Sequence, residues 1–212
     1  MALKDQIAED MRSKLSSNQI KNIDIIENEF MKAGLPVEFA AAAIVNAWHE
    51  SKLNEKAEGD HTSAARYTAK YSLAELEERC SYSNTSHPCP QSIGLFQLKS
   101  PTGAGGKMSA ADRMNPRLNT QRIIEQVNKK YGNQMRTDYA NGERRVSHFA
   151  ALFCRDIERP ANKQNCWDKR AVTAKKFFPN DRVSPKPVWK WIVGIGAILA
   201  IGAGVYFWRF RK

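Results

Sequence analysis

The chain has 212 residues, 42% of them hydrophobic, which is enough for one domain of ordinary size with appended segments. The formal net charge of +11 favours a polyanionic partner, namely nucleic acid, anionic lipid or a bacterial wall that carries carboxylates and phosphates. The basic residues are scattered and form no basic and aromatic platform for a single strand, so nucleic acid is not favoured.

The first 51 residues predict helices. Residues 1–18 are polar and mixed in charge, and they contain no apolar run that would mark a secretory signal. From 19 to 33 apolar residues recur at helical spacing, and Gly34 marks the end of that helix. A second helix follows Pro36 and is apolar on nearly all sides up to Glu50, which is typical of a buried helix.

Glu50 is the candidate general acid. It ends the apolar helix beside Trp48, where burial and the negative end of the helix dipole both favour the uncharged form of a carboxyl group. A carboxyl group that stays protonated near neutral pH can protonate the oxygen of a glycosidic bond. The alternative is a glutamate that ends a helix and faces water.

The rest of the soluble part also predicts helices. Residues 52–66 are polar and turn-rich, which indicates a loop or a small hairpin that lines a cleft. Helical patterns then cover residues 64–79, 120–131, 146–156 and 166–178. Because strand-like alternation is almost absent, we expect a mainly α domain over 19–182 with at most a small hairpin.

The four cysteines fall into two local pairs, Cys80 with Cys89 and Cys154 with Cys166. Neither pair has the CxxC spacing of a structural zinc site, and the histidines form no ligand pattern beside them, so we predict no metal. Two local disulfides are one of the possible connectivities, and they would place the protein outside the reducing cytosol. Four free thiols are the alternative.

The C-terminal segment has the composition of a membrane anchor. Residues 191–208 form a run of 18 residues without a charge, which is near the lower limit for crossing a bilayer. Tryptophan and tyrosine lie near the two ends of the run, as in an interfacial aromatic belt. We therefore predict a stiff linker over 183–190, one transmembrane helix over 191–208 and a basic tail over 209–212. A buried C-terminal helix is the alternative.

Four short motifs follow one another along the helical part of the chain: Glu50-Ser51, Gly94-Leu95-Phe96-Gln97, Pro101-Thr102 and Asn115-Pro116-x-x-Asn119. Each is weak alone, but their order resembles the soluble lytic transglycosylases of the lysozyme-like superfamily. Residues 153–160, Phe-Cys-Arg-Asp-Ile-Glu-Arg-Pro, instead resemble the signature of phage tail lysozymes, which have the same fold. The resemblance covers about residues 35–178 and implies a lysozyme-like domain.

This resemblance implies roles for individual residues. Glu50 would protonate the oxygen between N-acetylmuramic acid and N-acetylglucosamine, and Ser51 would hydrogen-bond and orient it. Gly94 would let the backbone approach a sugar, and Gln97 would offer its amide to the substrate, although an exposed polar residue is the alternative. The Tyr-Asn-Ala-Gly motif of transglycosylases occurs here in changed order as Tyr139-Ala-Asn-Gly, so Tyr139 is a further candidate contact, with a simple turn as the alternative.

The number of catalytic carboxylates separates two chemistries. A hydrolase uses two, whereas a transglycosylase needs only the acid, because the muramyl 6-hydroxyl closes on the anomeric carbon to give a 1,6-anhydro product. Asp60, with Glu58 near it, is the candidate second carboxylate, and a solvated loop residue is the alternative. The sequence slightly favours the one-carboxylate mechanism, and neither route requires a cofactor.

The predicted anchor suggests where the protein acts. A wall-cleaving domain with a membrane tail, no visible signal and phage-type motifs resembles a virion protein of a membrane-containing bacteriophage. It would open peptidoglycan locally during entry or lysis, from a viral membrane or the host envelope, on the periplasmic side. Other virion membrane proteins are candidate partners, since Gly196, Ala200 and Gly204 form a stripe of small residues. The alternatives are a non-catalytic virion or envelope protein and a secretion-associated bacterial transglycosylase.

Overall fold

The computed structural model describes residues 1–58, 72–80, 92–99, 105–158 and 162–185. The α-helices of these residues are α1 (Leu3–Gln6), α2 (Glu9–Arg12), α3 (Ser17–Lys32), α4 (Val37–Ser51), α5 (Leu73–Cys80), α6 (Ala110–Met114), α7 (Pro116–Asn128), α8 (Asn133–Ala140), α9 (Val146–Leu152) and α10 (Lys163–Phe177). A 3-10 turn spans Lys130–Gly132 and a π-helical turn spans Phe153–Glu158. The described residues contain no strand, only two isolated bridges that pair Ile93 with Glu58 and with Leu98.

Helix α4 is the centre of the domain. Every residue from Val37 to Ala47 is buried, and α3, α9 and α10 pack around it. The run of alanines from Ala40 to Ala43 is fully buried, and its small side chains leave room for neighbouring helices to approach closely. The prediction of a buried central helix that ends at Glu50 is confirmed.

The N-terminal segment packs onto this core. Helix α3 begins with a capping box formed by Ser16 and Gln19, which satisfies backbone N–H groups of its first turn. Leu3 and Ile7 belong to the main core cluster, and the backbone N–H of Leu3 donates to Glu27 Oε2 at 3.0 Å. Residues Ala2–Val183 form one compact unit, so the polar residues 1–18 cover part of the same core as 19–182.

Two helix predictions differ from the structure. Tyr139, which falls between the helices predicted over 120–131 and 146–156, lies in the last turn of α8. The helix expected over 146–156 ends at Leu152 and continues as the π-helical turn. A π-helical turn holds more residues than an α-turn, so it changes which side chains after Leu152 face the core. Glu158 is the last residue of this turn, next to the buried Ile157.

A disulfide joins Cys154 in the π-helical turn to Cys166 in α10, with their Cα atoms 6.2 Å apart, which confirms that predicted pair. The predicted Cys80–Cys89 bond depends on side chains that lie outside the described part of the structure. The predicted hairpin beyond Glu58 also lies outside that part. Within the part of the chain that the structure describes, no helix is long and apolar enough to cross a membrane. The predicted transmembrane segment, 191–208, lies outside that part.

Candidate active site

Glu50 lies in the last turn of α4, and the chain around it is held firmly. The helix ends because Lys52 and Leu53 both adopt left-handed backbone conformations, with φ of 55° and 58°. Such conformations are costly for residues with a Cβ and persist only when the surroundings hold them. Two amides of α3 provide that support: Gln19 donates to the Lys52 carbonyl at 2.8 Å and Asn22 to the Leu53 carbonyl at 2.9 Å.

Arg170 of α10 joins Glu50 to a second carboxyl group. Its Nη2 atom lies 2.5 Å from Glu50 Oε1 and 2.8 Å from Glu158 Oε2. Its Nε atom donates to Asn46 Oδ1 at 2.8 Å, four residues before Glu50 on the same face of α4. Only 8% of the Arg170 side chain is exposed. Helix α4, the π-helical turn and α10 therefore meet at one guanidinium group.

Glu158 is the more buried of the two carboxyl groups, with 13% of its side chain exposed against 23% for Glu50. Its Oε1 atom has no hydrogen-bond partner among the described residues. Burial, followed by the charge of Glu50, raises the pKa of Glu158 to about 8, although Arg170 acts in the opposite direction. The uncharged form of Glu158 is therefore favoured near neutral pH.

The second sequence motif, residues 94–97, forms a tight turn beside the end of α4. Ile93 and Leu98 exchange backbone hydrogen bonds of 3.2 and 2.9 Å and close the turn. Gly94 has a φ of +85°, and a Cβ atom there would lie 2.0 Å from the carbonyl oxygen of Arg113. Gly94 is itself buried, so the close approach that requires glycine is to the protein's own backbone and not to a sugar.

The Asn-Pro motif supports this turn. Asn115 caps α7 by accepting hydrogen bonds from the backbone N–H groups of Arg117 and Leu118. Asn119 is fully buried and accepts from the N–H of Phe96 at 3.1 Å. Its Nδ2 donates to the carbonyls of Arg113 at 2.6 Å and Ile93 at 3.3 Å. The motif is therefore a scaffold for the turn that carries Gln97.

Ser51 connects the turn to α4. Its side chain is fully buried, and its hydroxyl lies 3.0 Å from the carbonyl oxygens of Ala47 and Leu95. This hydroxyl therefore bonds main-chain carbonyls, in place of the Glu50 carboxyl or a substrate that the resemblance implied. The structure does bring the Gln97 turn to the helix end that carries Glu50, and Ser51 is the link.

Gln97 is half-buried and has a left-handed φ of 48°. Its Nε2 atom donates to the carbonyls of Gly94 at 2.9 Å and Ala57 at 3.1 Å, which fixes the amide plane. Among the residues described, none donates to its Oε1, so this oxygen is the atom that can accept a hydrogen bond from a substrate.

The other predicted site residues lie elsewhere. Tyr139 packs edge-on against Phe39, with ring centroids 5.7 Å apart, and Arg144 covers its ring at 3.8 Å. Phe39 precedes Glu50 by three turns of α4, roughly 16 Å along the helix, so the structure does not bring Tyr139 to Glu50. Asp60 lies outside the described residues, whereas Glu58 is fully buried in the bridge to Ile93.

His49 is next to Glu50, and its surroundings keep its ring uncharged. Its Nε2 atom lies 2.7 Å from Thr173 Oγ1. Burial, and after it the charge of Arg170, lowers the pKa of His49 to about 3, so the ring is neutral at neutral pH.

The sequence analysis did not identify three residues that the structure places around Glu50, namely Asn46, Glu158 and Arg170. Asn46 was detectable as the one polar residue between Phe39 and Trp48 of the apolar helix, and Glu158 lies in the phage-type segment, but Arg170 had no local signal.

The buried central helix of this helical domain ends at a carboxyl group that shares a buried arginine with a second carboxyl group, and the turn that carries the fixed amide lies against the same helix end. These are groups that can protonate a leaving oxygen. The chain belongs to the phage tail lysozyme family, whose model matches residues 21–180. No curated protein and no solved structure gives a significant match. The predicted lysozyme-like phage protein is therefore confirmed, and membership of this family supports a peptidoglycan-cleaving enzyme.

Proposed function

We propose that this protein cleaves the β-1,4 bond between N-acetylmuramic acid and N-acetylglucosamine by the one-carboxylate route of a lytic transglycosylase, with Glu50 as the acid. The observation that carries the proposal is that Glu50 and Glu158 bond the same nitrogen of Arg170. Two carboxyl groups on one nitrogen are direct neighbours.

A hydrolase needs a different arrangement. Its two carboxyl groups flank the scissile bond, about 5–5.5 Å apart in retaining enzymes and about 6.5–9.5 Å apart in inverting ones. A sugar must fit between them, whereas here the Arg170 nitrogen is bound to both groups and takes that place. Glu158 is therefore unsuited to be the nucleophile or the base on the opposite face, which leaves Glu50 as the reacting carboxyl group among the described residues.

In the one-carboxylate reaction the same group first donates a proton and later accepts one. Glu50 gives its proton to the oxygen of the leaving N-acetylglucosamine as the bond to the muramyl anomeric carbon breaks. The muramyl 6-hydroxyl adds to that carbon, and its proton passes to the Glu50 carboxylate, which restores the acid. Arg170 stabilises the carboxylate between the two transfers. Gln97 Oε1 accepts a hydrogen bond from the N-acetyl or hydroxyl groups of the substrate.

The test is to digest purified peptidoglycan with the full-length protein and to weigh the fragments by mass spectrometry. Muramyl ends that lack one water support the proposal. Reducing-end muramic acid would show a hydrolase and would direct the next mutation to Asp60. No glycan cleavage by a folded sample would refute the enzymatic function. Glu50→Gln should stay folded by circular dichroism and lose nearly all activity, whereas Glu125→Gln, which changes an exposed glutamate, should keep it.

We also propose that residues 191–208 anchor the enzyme in a bilayer of a membrane-containing phage or of its host's envelope, where it acts on the periplasmic side during entry or lysis. The uncharged run of 18 residues supports this location. Membranes from expressing cells should retain the full chain after a high-salt wash. Replacing Ile198 and Ile201 by lysine should release it, and replacing both by valine should not. A chain that washes off without any substitution would contradict the anchor.

A further inference from the structure

We propose, on the basis of the proposed function, that Glu158 is a positioning residue that shares one proton with Glu50, so that Glu50 can act as an acid although Arg170 is bound to it. The pair and the arginine would then work as one unit. Glu50 faces the substrate and gives up the proton, and Glu158 lies deeper and offsets the charge of the arginine.

Arg170 opposes the role of Glu50 as an acid, and Glu158 offsets this effect. A cation at 2.5 Å favours the ionised form of a carboxyl group, and an ionised Glu50 cannot protonate a leaving oxygen. The arginine cannot easily move away, because it is nearly buried and also bound to Asn46, which is fully buried. A charge that opposes the arginine is therefore needed in the same place.

Glu158 supplies that charge. With one proton on the two carboxyl groups, their charge and that of the guanidinium group cancel. With no proton, the three groups together carry a net charge of one negative unit in a largely buried position, which is unfavourable. Burial and the neighbouring Glu50 carboxyl, through its charge and through hydrogen bonding, raise the pKa of Glu158 to about 8, which agrees with a proton that the unit retains at neutral pH. Arg170 itself bonds both carboxyl groups.

The elements around Glu158 hold it at this position. The Cys154–Cys166 disulfide ties its π-helical turn to α10, and both sulfurs lie within 4.8 Å of a Glu158 carboxylate oxygen. The charges that act on Glu158 are those of Glu50 and Arg170. The surrounding elements carry four other titratable groups: His49 on α4, His148 on α9, Lys169 on α10 and Lys130 in the 3-10 turn. The π-helical turn itself carries Arg155 and Asp156, which form an ion pair with each other.

The experiment is a pH–rate profile of peptidoglycan solubilisation with the full chain and with Glu158→Gln. Glutamine keeps an oxygen for Arg170 but cannot hold the shared proton or offset the arginine. The alkaline limb of the kcat profile should move to lower pH by about 1 unit or more, with little change in KM. Asp156→Asn removes a carboxylate from the same turn and should leave the profile unchanged, and Glu158→Asp should restore part of it.

An unshifted alkaline limb in Glu158→Gln would overturn the inference, as would a uniform loss of activity that follows the loss of folded protein. Carboxyl carbon-13 NMR of the unsubstituted protein gives a second readout that needs no activity. One glutamate should titrate near pH 8, and that titration should disappear in Glu158→Gln. If all glutamates titrate below about pH 6, no proton is shared. If the unsubstituted protein does not cleave peptidoglycan, the proposed function fails, while NMR still decides whether the pair shares a proton.

Discussion

Replacing Gly94 by alanine should show how the turn that carries Gln97 is held. Gly94 and Gly142 both have left-handed backbones, with φ of +85° and +93°. A Cβ on Gly94 would lie 2.0 Å from the Arg113 carbonyl oxygen and 2.3 Å from Asn119 Nδ2, whereas one on Gly142 would meet nothing within 4 Å. Gly142→Ala is therefore a control with the same strain and no collision.

The two substitutions should differ clearly in cost. The left-handed conformation alone costs alanine about 1–2 kcal/mol, and this is the whole cost expected for Gly142→Ala. At Gly94 the collision adds about 1–3 kcal/mol of overpacking. Displacing Asn119 would also weaken its hydrogen bonds to the turn, each worth about 1 kcal/mol. We expect Gly94→Ala to lower the free energy of unfolding by about 3–5 kcal/mol in total.

Urea unfolding followed by circular dichroism measures both costs, and peptidoglycan clearing is measured where each variant is fully folded. Gly94→Ala should lose activity beyond its unfolded fraction, because a displaced turn changes the position of Gln97 relative to the end of α4. Gly142→Ala should clear peptidoglycan at the normal rate. Equal destabilisation of the two variants, within about 0.5 kcal/mol, would show that contact with the Arg113 backbone does not hold the turn.

Two further predictions concern stability. The pKa of His49 is lowered from 6.5 to about 3 on folding, so its contribution to stability is present above pH 6.5 and is lost as the pH falls toward 3. His49→Gln, which can still bond Thr173, should make the urea midpoint less dependent on pH between 6.5 and 3; an unchanged dependence would exclude a buried neutral imidazole. Replacing Cys154 and Cys166 by serine should cost about 2–4 kcal/mol in the free energy of unfolding, measured by urea titration, and a cost near zero would contradict the bond between the π-helical turn and α10.

Local patterns were sufficient for part of this protein. Burial of α4 is a property of its own residues, since a helix that is apolar on all sides must be covered. The Cys154–Cys166 pair was suggested by its short separation, and the order of short motifs indicated the lysozyme-like family. Glu50 was singled out because it is the carboxyl group that ends the apolar helix.

The surroundings of Glu50 were decided by the tertiary structure. Arg170 is 120 residues away along the chain, and nothing in its own helix distinguishes it from the other basic residues. Gly94 must be glycine because of a carbonyl at Arg113, and Ser51 bonds Leu95 because the turn lies against α4. Whether a carboxyl group holds a proton depends on charges a few ångströms away and on the exclusion of water. These distances are set only when distant helices pack, so residue type and spacing identified the acid, and packing determined what it is bound to.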